Sequence, residues 1–120
     1  MPKSDDLYLR HINDEVAFLR SLPEFSSGSF LKEDPVHSRA VVRSLEIIGE
    51  AASKISSDFR AQHAEIPWRR VIALRNRLIH EYMGINFNIV LNVLNVEIPR
   101  LAIQLEVLLN EDSSADNEND

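Results

Sequence analysis

Trp68-Arg-Arg-Val-Ile-Ala-Leu-Arg-Asn-Arg-Leu-Ile-His-Glu-Tyr82 is the stretch that decides how this chain is read. It carries four arginines and a histidine, with no acid before Glu81, in a chain whose formal net charge is −6. At about 100° per residue the spacing predicts a helix with one apolar stripe: Trp68, Val71, Ile72, Leu78, Ile79 and Tyr82. Arg75 falls near the middle of that stripe. A guanidinium does not lose its proton, so an apolar setting obliges it to find a carboxylate, a phosphate or water. Five residues on comes His80, the side-chain type best suited to moving protons near neutral pH. The helix reads as an anion or phosphate site.

Across the rest of the chain the periodicity predicts helices throughout and no strand. A first helix is expected from about Asp5 to Ser21, capped by Ser4 or Asp5, with Leu7, Ile12, Val16 and Leu19 inward. Residues 22–34 read as a loop pinned by Phe25 and Phe30. Asp34-Pro35 is a strong helix start, an N-cap followed by proline at the first position. That second helix runs to about Ile55, and Gly49, Ala51, Ala52 and Ser53 permit close approach of a neighbour. A short helix follows near Asp58–His63. The key helix starts at Ile66-Pro67 and is expected to end between Glu81 and Gly84. Asn86 caps the last helix, which runs to about Leu109 and is kinked or split at Pro99.

This last helix shows two apolar stripes. One is Phe87, Val90, Leu91, Leu94, Ile98, Leu101, Leu105 and Leu108; opposite lie Ile89, Val93, Val96, Ile103 and Val107. A helix that is oily on both sides needs cover on both, and in 120 residues the second cover is expected to be another subunit.

The length allows one domain. With no cysteine, disulfides and thiolate metal sites are excluded. No apolar run approaches the roughly 20 residues of a membrane span, and the first residues lack the form of a signal peptide, so the chain reads as soluble and cytoplasmic. Residues 111–120 hold five acids and no base, and removing them leaves −1 for the body over 1–110. That tail is expected to be disordered, either a solubilising end or an acidic strand competing with nucleic acid for the basic helix.

Each candidate residue also has a plainer reading. Arg75 can be structural, paired with a carboxylate such as Glu50, although Glu50 is equally explained by Lys54 four residues on. His80 lies about 140° from Arg75 on a straight helix. The two meet on one phosphate only if the helix loosens near His80 or a two-fold copy supplies the second motif. Asn76, four residues before His80, lies beside it on a helix and can orient the ring or hold a phosphate oxygen. Tyr82 shares the face of Arg75 and is either core or a hydroxyl at the site. Arg69, Arg70 and Arg77 read as a solvated face. His11, His37 and His63 show no ligand spacing, and no metal site or cofactor is expected.

Arg75-Asn-Arg-Leu-Ile-His80-Glu-Tyr82 matches an R-x4-H-x-Y signature, and over roughly residues 5–110 the chain resembles the HepT-like toxins of the HEPN superfamily. Ile66-Pro67-Trp68, Leu45-Glu-Ile-Ile-Gly-Glu-Ala51 and Tyr82-Met-Gly-Ile-Asn86 look like the rest of that pattern. The resemblance implies an all-α, up-and-down bundle of four to five helices that forms a homodimer. Two motifs would then face one cleft, which removes the angular objection. It also implies a metal-independent endoribonuclease leaving a 2′,3′-cyclic phosphate, with His80 as general base or acid. Arg75 would stabilise the phosphorane, and Asn76 would assist by positioning. The partner it implies is an MNT-type nucleotidyltransferase antitoxin that transfers AMP to Tyr82. The alternative is a non-catalytic subunit that binds such a nucleotidyltransferase and accepts AMP on Tyr82. A purely structural helical dimer has no use for a central arginine.

Overall fold

The computed structural model describes residues 3–80 and 84–119, with the side chains of all but residue 80 and residues 112–119. In chain order the elements are α1 (Lys3–Ser21), α2 (Gly28–Lys32), α3 (Pro35–Lys54), α4 (Ser57–Gln62), α5 (Trp68–Ile72) and α6 (Leu74–Leu78). A two-stranded ladder of β1 (Ile79–His80) and β2 (Gly84–Ile85) follows, then α7 (Phe87–Asn92), a π-helical turn (Val93–Glu97) and α8 (Ile98–Asn119). The fold is all-helical apart from that ladder. Its helices are more numerous than the four to five expected because two of them are subdivided and the 22–34 loop holds a turn of its own.

α1 and α3 pack along each other, with α8 against α1 and with α5 and α6 against α3. Leu9, Ile12, Val16 and Leu19 recur at three- and four-residue steps and are buried, each worth about 1.5–3 kcal/mol. Leu7, expected inward, is half exposed because the buried row starts instead at Asp5 and Leu9. Asp5 does not cap α1. Its carboxylate is buried and accepts from Ser56 N (2.8 Å) and Ser56 Oγ (2.7 Å), which pins the α3–α4 junction to α1. Asp34 caps α3 as read, accepting from His37 N, with Pro35 first in the helix. In the expected loop, Ser27 caps α2, which buries Leu31; Phe25 is inside but Phe30 is exposed.

Three differences shape the site. The key helix is interrupted at Ala73 and ends at Leu78, short of the expected Glu81–Gly84. At Ile79 the backbone turns extended (φ −95, ψ 128), and the chain doubles back, pairing Ile79 with Ile85 and His80 with Gly84. Asn86 N closes the foot of this hairpin by donating to Leu78 O at 2.8 Å. Gly84 holds a left-handed φ of 74°, which favours glycine. A two-residue strand is too short to show alternation, so the sequence could not reveal it.

The last helix changes register before Pro99 instead of breaking there. Pro99 has no N–H and its ring would strike the carbonyl four residues back. The π turn takes up the misfit, with Ile98 N donating to Val93 O, five residues back. Val93, expected on the outer stripe, is buried three residues after Val90 on the core face, while Ile89, Val96, Ile103 and Val107 stay exposed. Helical backbone then continues past Leu109 to Asn119, across the run read as a disordered tail. Extending an existing helix adds a hydrogen bond per residue without a new nucleus.

Candidate active site

Three packing devices hold α5 and α6 against α3. Pro67 forms an inverse γ-turn (φ −77, ψ 70) with Trp68 N donating to Ile66 O at 2.8 Å. Trp68 Nε1 donates to His63 O at 2.9 Å, and its ring meets Phe59 edge-on. Gly49 faces the break in the key helix: a Cβ there would sit 3.3 Å from the carbonyl oxygens of both Val71 and Ile72. The predicted close approach is therefore real, and it is made by backbone.

The inward row of α5 and α6 is Trp68, Val71, Leu74 and Leu78. Leu74 was missing from the expected stripe, and Ile79 is 51% exposed because the helix ends before it. This inverts the expectation for Arg75. Within the chain it is exposed, as is Asn76, and among the described residues neither makes a hydrogen bond or ion pair. Glu50, its imagined partner, pairs at 3.7 Å with Arg43, and Lys54 lies 5.8 Å from the centre of the Tyr8 ring.

His80 stands in β1, two residues beyond the last turn of α6. The 140° separation belonged to a straight helix that does not exist here. For the same reason Asn76 is not a helical neighbour of His80. Tyr82 and the 81–83 segment lie outside the described residues.

One constellation escaped the sequence reading. Arg77, taken for a solvated residue, is half-buried and grips Glu97 of the π turn through two bonds, Nη1 to Oε1 at 2.9 Å and Nη2 to Oε2 at 2.6 Å. Arg70 approaches the same carboxylate at 3.4 Å, and Arg77 Nη1 also reaches the Arg70 carbonyl at 3.3 Å across the Ala73 break. The hydrogen bond from Arg77 holds the Glu97 carboxyl below its ordinary range against the opposing effect of burial. The same bond raises Arg77. A signal was present: Glu97 is the lone acid between Glu81 and Glu106, on an apolar helix following a basic one. The clamp ties α6, and hence Arg75, to the turn before α8.

Comparison with known proteins decides what this arrangement belongs to. Residues 12–108 match the family described as ribonuclease HepT-like. The chain belongs to the HepT-like ribonuclease family. It is 41% identical over 105 residues to a protein of Caldanaerobacter subterraneus subsp. tengcongensis named, provisionally, as an RNase; the match covers 88% of this chain and 94% of the relative. A probable ribonuclease HepT of Thermococcus cleftensis is 35% identical over 109 residues, 90% and 98% of the two chains. A Methanocaldococcus jannaschii protein, also provisionally named an RNase, is 34% identical over 124 residues, 99% and 98%. No solved structure gives a significant match. This HepT-like chain has no helix, among the described residues, long and apolar enough to cross a membrane.

Proposed function

We propose that this HepT-like chain is the toxin of a toxin–antitoxin pair and cleaves RNA without a metal ion. The RNA 2′-hydroxyl gives up its proton and attacks the adjacent phosphorus. The bond to the 5′-oxygen breaks, that oxygen takes a proton, and the products carry a 2′,3′-cyclic phosphate and a 5′-hydroxyl. His80 moves one of these protons as general base or acid. Arg75 neutralises the charge that grows on the phosphorane oxygens, and Asn76 holds a phosphate oxygen in place. The observation that carries this reading is the exposure of Arg75 and Asn76 on a helix that stops at Leu78, in a family of ribonucleases.

The acting unit in this proposal is a homodimer. Val96, Ile103 and Val107 leave an apolar row on the π turn and α8 that a second copy would cover, bringing two motifs to one cleft. The partner is an MNT-type nucleotidyltransferase antitoxin. It would transfer AMP from ATP to the Tyr82 oxygen with release of pyrophosphate, placing a phosphate where RNA's phosphate must sit. The decisive test is the chemistry of the ends. Purified protein incubated with RNA should leave cyclic phosphate termini, and 3′-hydroxyl ends would refute the mechanism.

A further inference from the structure

Beside the foot of the hairpin lies a groove of about 500 Å³ lined by Arg77, Asn86, Asn88, Ile89 and Asn92. Ile89 offers an apolar surface, 36% exposed. Both Nη atoms of Arg77 are committed to Glu97, so its guanidinium is held in a fixed plane at the wall of the groove. Three of the five lining residues are asparagines. Asn86 Oδ1 accepts from Asn88 N (3.1 Å) and Ile89 N (3.2 Å) as the cap of α7, which leaves its two N–H groups over. Among the described residues the side-chain amides of Asn88 and Asn92 make no hydrogen bond. Gly28 leaves the space that the Asn88 amide occupies, since a Cβ there would collide with its Oδ1.

We propose that this groove is a nucleobase subsite that reads the base next to the cleaved phosphate. The inference rests on the ribonuclease reading above. A carboxamide presents a donor and an acceptor side by side, which matches the edge of a base. An immobilised guanidinium and an aliphatic side chain supply surfaces for the flat face of an unpaired base. The position fits as well. The Leu78–Asn86 bond at the hairpin foot and the His80–Gly84 pair are two residues apart on the ladder, about 7 Å of strand. A second groove shares Asn86 and Asn88 and contains Lys32, a cation for a neighbouring phosphodiester. Base reading of this kind would give cleavage a sequence preference.

The test uses four 2′-O-methyl homohexanucleotides, which lack the attacking hydroxyl, titrated into the isotope-labelled full chain. The expected result is saturable movement of the Asn88 and Asn92 side-chain amide signals, strongest for one base. Asn92→Ala should weaken that binding about five- to ten-fold. Equal affinity in Asn92→Ala overturns the proposal. So do amide signals that stay still while oligonucleotide binds, or that shift with protein concentration alone because a second copy fills the groove. Cleavage of unmodified RNA by the same preparation reports on the ribonuclease reading separately.

Discussion

Arg75 and Arg77 stand two positions apart on one five-residue helix and have opposite surroundings. Arg77 is bound to Glu97 by two short hydrogen bonds and pins α6 to the π turn. Arg75 is exposed and has no side-chain partner among the described residues. Arg75→Ala should therefore leave stability within about 0.5 kcal/mol of wild type while lowering cleavage by about 100-fold or more, checked by thermal melts and initial rates on one preparation. Glu97→Gln should do the reverse at first, lowering stability at pH 7 by about 2 kcal/mol as one partner of a half-buried charged pair is lost. The folded-state carboxyl of Glu97 lies below its ordinary value, so the stability it adds is present above the unfolded-state value. It is lost as pH falls through the folded value. Denaturation of the two proteins between pH 7 and pH 3 should show the gap closing on the acid side; a gap independent of pH would remove Glu97's charge from the account.

At the scale of elements, Gly49 and Pro99 do the most shaping. Gly49→Ala would press a methyl against two carbonyl oxygens that cannot turn away, and should cost about 1–3 kcal/mol, measured by urea titration. Much of this was legible in the sequence. Asp34-Pro35, Asn86 and the small residues of α3 act locally, through caps and close approach, and are found where they were expected. The inner stripe of α7 and α8 was legible for a similar reason, since burial follows helical period. What could not be read was the path of the chain between Leu78 and Asn86. There the helix yields to a two-residue ladder closed by the Asn86–Leu78 backbone bond, and the period that placed Ile79 inward stops applying. The clamp on Glu97 was hidden because pairing across twenty residues depends on the π turn, and neither Arg77 nor Glu97 announces its partner. The candidate site was legible only as residue types at a spacing, Arg75, Asn76 and His80; its setting was not, since Arg75 was expected in an apolar stripe and is exposed.

For the molecule as a whole, the open question in physical terms is what covers Ile103 and Val107, which are 63% and 53% exposed on a single chain. A second copy is the proposed answer. Ile103→Glu should then convert a dimer to a monomer by light scattering and abolish cleavage, although residue 103 is distant in sequence from the motif; an active monomer would rule out the shared cleft. The charge of the whole protein bears on its substrate too. Most of the −6 belongs to residues 111–120, so truncation before Glu111 should strengthen RNA binding at low salt. Metal-free cleavage through His80 is measured by incubating wild type and His80→Ala, purified identically, with RNA in excess EDTA. Cleavage by wild type alone is expected. Equal cleavage by both, or none by well-folded unmodified wild type, would rule this mechanism out.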